Sequence, residues 1–346
     1  MAKMTNQEVS ALVLQESQTE VERQKRKTTD RKYKALLGSY NELAKKYAEL
    51  QDYRSRRISP ITIKPGKPSV VNEICPAIVL SDWHAEERVE PKTIGGKNQY
   101  NLDIARKRAA FVSQNAVKRM RELSDEGTIR SVPVFLLGDF ITGHIHEENV
   151  ENAQLGRLDA LQFAEELLTG SLEYLLAETE FEYVVYCKVG NHSRMTHRVR
   201  ASTEWQNSVE PLMYWSMKRY FETKYPNRVR FHLEESYYSI ANILGTRVRF
   251  HHGHAVSYGG GVGGLHIPLR KAIKSWNENE RADLDIMGHY HSFLEHSTMK
   301  YVVNGSLIGY NAYAERIKCA LEPPMQSMVV IHKKYGVVRL VPLFAE

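Results

Sequence analysis

Five short stretches of the chain set histidines beside carboxylates or amides. They are Asp82-Trp83-His84, Gly138-Asp139, Gly190-Asn191-His192, His251-His252-Gly253-His254 and Gly288-His289-Tyr290-His291. Imidazole nitrogens, carboxylate oxygens and a neutral amide oxygen together suit borderline divalent ions. A carboxylate can also bridge two such ions ~3.5–4 Å apart and so build a dinuclear centre. In Asp-x-His and His-x-His, alternate side chains of an extended segment point the same way, so each pair can reach one cluster. Glycines beside Asp139, Asn191, His252 and His289 permit tight turns and close approach. Each piece alone is weak, because a histidine after a strand is more often an ordinary surface residue. The ordered set is much stronger, and it points to a metal site.

The apolar runs show what must position these residues. PAIVLSDWH (76–84), VPVFLLGDF (132–140) and FEYVVYCKVGNH (181–192) each run apolar, turn polar and lead into a helical stretch. Strand-then-helix units with buried strands predict an α/β fold, which keeps ligands at the carboxyl ends of its strands. Further on, VRFHLEESYYSIANILGTRVRFHHGHAV reads as a strand meander turned at Leu-Gly-Thr. MKYVVNGSLIG and SMVVIHKKYGVVRLVPL read as further strands. The expected architecture over 71–346 is α/β: two packed mixed β-sheets flanked by helices.

Residues 1–54 have a different texture. Tyr33, Leu36, Tyr40, Leu43, Tyr47 and Leu50 step by three and four, a heptad seam that predicts a short coiled-coil helix of about 20–25 residues. Two uses of that seam are open: homo-oligomerisation through 30–54, which is favoured, and folding back on its own domain. Residues 55–70, with Pro60, Pro65 and Pro68, read as an extended linker. Of the net charge of +6, residues 1–60 supply +5, with 13 Lys and Arg against 8 Asp and Glu. A basic arm of this kind suits contact with a phosphate backbone, and a solvated helix face explains it equally well. No apolar run reaches the ~18–20 residues of a membrane span, and MAKMTNQEVS lacks the apolar core of a signal peptide. Three well-separated cysteines argue against a disulfide framework. A cytoplasmic protein without a membrane partner is expected.

In SDWH, LLGDF, VGNHS, HHGH and GHYH the chain resembles the calcineurin-like metallophosphoesterase superfamily over about 75–345. NGSLIGY and PPMQS are similar to segments of its tailed-phage and prophage branch. The resemblance implies an α-β-β-α sandwich with two divalent ions. Mn is the expected metal, and Fe, Zn, Ni or Mg are alternatives. One ion would be held by Asp82, His84 and His291, the other by Asn191, His252 and His289, with Asp139 bridging. Water activated between the ions would attack phosphorus, and His192 would act at the leaving oxygen rather than as a ligand. Three departures stand beside this. Ser193 follows Gly-Asn-His where the family commonly has an acid, so a carboxylate orienting His192 must come from elsewhere. Thr142 occupies the place of the second Asp of protein phosphatases, which argues against a phosphoprotein substrate. In HHGH the family pattern selects His252, with His251 on the opposite side of the strand and His254 as the alternative.

Around these lie candidate substrate contacts. Arg194, Arg198 and Arg200 follow the third corner and suit bidentate binding of phosphate, and His144 and His146 follow Asp139 closely. The leading expectation is a metal-dependent phosphodiesterase acting on DNA, a nuclease for phage DNA processing or repair. The alternatives are a phosphatase or phosphodiesterase for nucleotides or another small phosphoester, and an assembly factor with a vestigial site.

Overall fold

The computed structural model describes residues 6–55, 72–257, 264–296 and 300–346. Apart from Ser55 and Gly264, the expected linker at 55–70 and the glycine run at 258–264 lie outside the described residues. The chain divides into two compact units, Met1–Lys67 and Pro68–Glu346.

Among its described residues the first unit contains one helix, α1 (Asn6–Ser55), of 50 residues. It is twice the length the heptad seam predicted. The seam fails before Tyr33, but Gln, Glu, Lys, Arg, Ala and Leu dominate the upstream residues and favour helix without any heptad. The six seam residues are all exposed, from 60% at Leu50 to 69% at Leu36.

In the second unit, one sheet has the order β11-β10-β1-β2-β3-β4. Strands β1 (Ile74–Leu80), β2 (Ser131–Leu136), β3 (Glu182–Cys187) and β4 (Val229–Leu233) are parallel neighbours. The hairpin β10 (Met325–His332) and β11 (Gly336–Phe344) adds antiparallel to β1. Parallel strands need crossovers, which α2 (Leu102–Ser124), α4 (Arg157–Glu178) and α5 (Glu210–Lys224) provide. A short helix, α3 (Glu147–Asn152), precedes α4.

The second sheet has the order β5-β6-β7-β9-β8. It contains β5 (Ser239–Ile243), β6 (Thr246–His251), β7 (Leu284–Met287), β8 (Leu294–His296) and β9 (Tyr301–Val303). Helix α6 (His266–Asn279) links β6 to β7, and α7 (Ala312–Arg316) follows β9. The expected meander is corrected here. β5 and β6 form the hairpin at Leu-Gly-Thr, but β4 pairs parallel with β3 in the other sheet. The helix α5 between β3 and β4 dictates this, because a strand reached through a helical crossover returns parallel.

Strand β1 shows how the layers are held. Ile74, Ile78 and Leu80 join the core under α2, α4 and α5, whereas Cys75, Ala77 and Val79 pack between the sheets with Phe135, Phe250, Ile286 and Val329. A period of two thus serves two cores from one strand. Leu269 and Ile273 of α6 close the far face of the second sheet against Met287 and Tyr301. The result is the expected α-β-β-α arrangement. Among the described residues no helix is long and apolar enough to cross a membrane.

Candidate metal centre

The five polar stretches all leave carboxyl ends of strands: β1, β2, β3, β6 and β7. Backbone bonds lace these ends together. Asp82 N–H donates to Gly138 O at 3.0 Å, His84 N–H to Asp139 O at 3.2 Å, and Gly288 N–H to His252 O at 2.8 Å. The turns are sharp, and Asp82, His84, Asp139, His289 and His291 all have φ between 45° and 72°. Two glycines make room. A Cβ on Gly190 would fall on the Asp139 carboxylate, and one on Gly288 would fall on that of Asp82.

Two clusters result. Asp82, His84 and His291 bring one donor atom each within 4.8 Å of one another, and so do Asp139, His252 and His289. Asn191 joins the second, with Oδ1 3.1 Å from His252 Nε2. His251 is buried on the other side of β6 against Trp276, as alternation along the strand requires. His254 is turned to Glu204, with Nε2 2.7 Å from its carboxylate, so His252 is the residue of HHGH that joins the cluster.

The donor geometry fits cations. His252 Nδ1 lies 2.7 Å from Leu137 O, and a carbonyl only accepts, so the ring carries its proton there. Its Nε2 then faces Asp139 Oδ2 at 2.9 Å and Asn191 Oδ1, with no hydrogen available from either. Likewise His84 Nε2 faces His291 Nε2 at 3.2 Å, and His291 Nε2 lies 3.4 Å from Asp82 Oδ1. Lone pairs converging in this way need a positive centre, whether proton or metal ion. The electrostatics agree. Burial would depress His252, but Asp139 outweighs it and lifts the imidazole to about 10. Burial also opposes a charge on His291, and Asp82 raises it nevertheless. Burial, followed by positive neighbours, holds His84 and His289 well below the usual histidine range. Burial would raise Asp139, but His252 and His192 keep its carboxyl well below the usual range. Each cluster therefore holds one imidazole drawn towards the charged form by a carboxylate and one kept neutral.

His192 stands beside these clusters, its ring centroid 4.8 Å from that of His84 and perpendicular to it. Its N–H donates to Asp139 Oδ1 at 2.8 Å and its Nδ1 to Thr142 O at 2.9 Å. The orienting group is a backbone carbonyl, so the carboxylate expected to orient His192 is absent at that nitrogen. Arg194 is half-buried and donates to Asn191 O at 2.6 Å, bracing the loop. Arg198 and Arg200 are exposed. His146 is exposed and is lowered by partial desolvation and then by Arg194, His192 and His197, so these groups share one rim. His144 is half-buried, and its carbonyl accepts from Arg157.

Several supporting residues escaped the sequence reading. Glu210, wholly buried at the start of α5, accepts from Phe140 N (2.9 Å), Gly190 N (2.8 Å) and Ser193 Oγ (3.1 Å). Burial, then the charge of Asp139, pushes it up to about 7. Glu86, also buried, accepts from Thr142 N and Gly143 N, and burial raises it to about 7. Asp82 is held by a buried chain. Ser327 Oγ donates to Asn304 Oδ1 at 2.7 Å, Asn304 Nδ2 to Ser81 Oγ at 2.9 Å, and Ser81 Oγ to Asp82 Oδ2 at 2.5 Å. NGSLIGY and PPMQS, legible only as a likeness, therefore contribute Asn304 and Ser327 to the scaffold of Asp82.

No protein-family model matches the sequence, and no curated protein sequence resembles it. Solved structures share aspects of the arrangement. An archaeal phosphodiesterase is 13% identical, with 77% of this chain and 99% of that chain covered and a TM-score of 0.35. Vps29 of Entamoeba histolytica, complexed with zinc, is 12% identical over 78% of this chain and 99% of that one, with a TM-score of 0.29. A Streptococcus pneumoniae protein described as a predicted phosphoesterase is 10% identical, covering 78% and 98%, with a TM-score of 0.29. At these scores the likenesses say nothing of what this chain binds or acts on.

Proposed function

We propose that the chain is a metal-dependent phosphoesterase that hydrolyses phosphodiester bonds, with DNA as its substrate. The observation that carries this reading is the convergence of two carboxylate–imidazole clusters at one rim, with His192 beside them but spent on neither. When bound, divalent ions at the clusters supply Lewis acidity and an activated water for in-line attack on phosphorus. Asp139 belongs to the second cluster, and its charge also acts on His84 and His291 of the first, so its carboxylate would help hold cations at either. His192 keeps Nδ1–H on Thr142 O, so the proton given to the departing oxygen would come from Nε2 of the imidazolium form, leaving the neutral ring with its hydrogen on Nδ1. Arg194 and His146 border the same rim and favour an anionic substrate. The choice of DNA rests on the basic 1–60 arm and on Arg198 and Arg200, which stand exposed beyond that rim.

The test is to strip the protein of metal, recharge it with Mn²⁺, and present linear DNA, circular DNA and a chromogenic phosphodiester in parallel. We expect DNA cleavage, abolished in Asp139→Asn and reduced ~10²–10⁴-fold in His192→Ala. Cleavage of the circle identifies endonucleolytic action. Turnover of the small diester alone transfers the assignment to a small phosphoester, and no turnover of any substrate refutes the phosphoesterase reading.

A further inference from the structure

We propose that Glu87 is a positioning residue that acts through Thr142 to set the tautomer of His84 and aim it at the first cluster. The inference rests on the metal-centre reading. His84 Nδ1 lies 3.1 Å from Thr142 Oγ1, and the Thr142 hydroxyl gives its proton to Glu87 Oε2 at 3.0 Å. Glu87 is fixed from the other side by Asn311 Nδ2 at 3.1 Å. Asn311 is itself anchored, its Oδ1 accepting from Ala314 N at 2.9 Å as the cap of α7.

Burial raises the Glu87 carboxyl, while the Thr142 and Asn311 donors lower it and favour its ionised form; with Glu87 ionised, the direction of this row is fixed at every link. An ionised carboxylate only accepts, so Glu87 takes the one proton of the Thr142 hydroxyl. The hydroxyl oxygen can then only accept from the ring, so His84 carries its hydrogen on Nδ1. Its Nε2 is left as a lone pair facing the cluster. Without Glu87 the hydroxyl is free to turn and donate to Nδ1. The imidazole would then carry its hydrogen on Nε2, where a cation belongs. Outer partners of this kind raise ligand basicity and fix ring orientation.

The row also explains why threonine suits position 142. Its N–H is held by Glu86 Oε2 at 3.0 Å, its carbonyl orients His192, and its hydroxyl orients His84. One residue thus aims a ligand and the candidate acid through separate atoms. The second cluster is independent of the row, because His252 Nδ1 is fixed by the Leu137 carbonyl. Breaking the row should therefore weaken one metal-binding event and spare the other.

The experiment titrates metal-stripped full-length protein with Mn²⁺ by calorimetry, comparing wild type with Thr142→Val, Thr142→Ser and Glu87→Ala. Thermal melts check each fold, and nitrogen-15 NMR of the histidine rings reports the His84 tautomer without metal. Wild type should bind two ions. Thr142→Val and Glu87→Ala should weaken one event ~10–100-fold and admit the Nε2–H tautomer of His84, while Thr142→Ser restores both readouts. Wild-type affinities and tautomer in folded Thr142→Val overturn the proposal. So does equal weakening of both events, or their loss together with a lowered melting temperature, since either marks Thr142 as general support. A wild-type protein that binds no Mn²⁺ overturns the metal-centre reading instead.

Discussion

Replacing Glu210 by glutamine separates the electrostatics of the centre from its packing. The carboxyl is fully buried, and its level rises from 4.5 to about 7 because burial, and then the charge of Asp139, disfavours ionisation. The folded chain therefore keeps a proton that the unfolded chain releases from about pH 4.5 upward. Stability from this group is fully present below 4.5 and is lost as pH rises through about 7. At ~1.4 kcal/mol per pH unit, the interval corresponds to about 3 kcal/mol. Glutamine does not titrate, and the contribution of Glu86 is common to both proteins and cancels in the difference. Urea unfolding of metal-stripped wild type and Glu210→Gln, from pH 4 to pH 8, should show the variant gaining about 3 kcal/mol relative to wild type across that window. A constant offset of ~1–3 kcal/mol against the variant is expected at every pH, because an amide nitrogen in the place of Oε2 accepts from neither Gly190 N nor Ser193 Oγ. Parallel curves refute the reasoning. A wild type that gains on the variant as pH rises would show that the three donors outweigh burial and hold Glu210 ionised.

Two further outcomes follow from geometry. Gly190→Ala places a Cβ on the Asp139 carboxylate and backbone nitrogen, so it should cost ~1–3 kcal/mol and impair one Mn²⁺-binding event. Wild-type melting and stoichiometry would show that the turn is not tight. The exposed Tyr and Leu seam of α1 should pair with a second copy, so Leu36→Lys with Leu43→Lys should sediment as a monomer where wild type sediments as an oligomer. Identical sedimentation at micromolar concentration would refute that pairing.

The clustering of the polar strand ends is legible in the sequence because its signals are local. An apolar run and an Asp or His lie within ten residues of one another, with a glycine beside them in four of the five stretches, and period two says which neighbours share a face. The strand β4 was misread because Val229–Leu233 alternates like a hairpin strand, and only the crossover through α5 reveals its parallel partner. The supports of the site have no local signal at all. Thr142 meets Glu86 and His84 across 56 and 58 positions, Glu210 meets Phe140 across 70, and Asn304 meets Ser81 across 223. In sequence Glu210 is an ordinary acid in the first turn of a helix, where negative charge is favoured anyway. Only the packing of α5 behind the Asp139 and Gly190 turns gives it a second task.

The choice of residue types at these turns is also a backbone matter. Among the described residues, eight non-glycine positions have positive φ, and five of them are Asp82, His84, Asp139, His289 and His291. Glycine would relax each turn but would bring no donor atom. Asp and His are among the side chains that tolerate this region best, and both bind metal. Such conformations persist only where their surroundings hold them, at on the order of 1–3 kcal/mol each. Here the inter-sheet contacts of β1 and β2, with the buried Ser81–Asn304–Ser327 chain, do the holding. An ion that bound only the folded arrangement would shift the balance back by mass action, so a melting temperature that rises with added Mn²⁺ is the expected outcome for the metal-stripped chain.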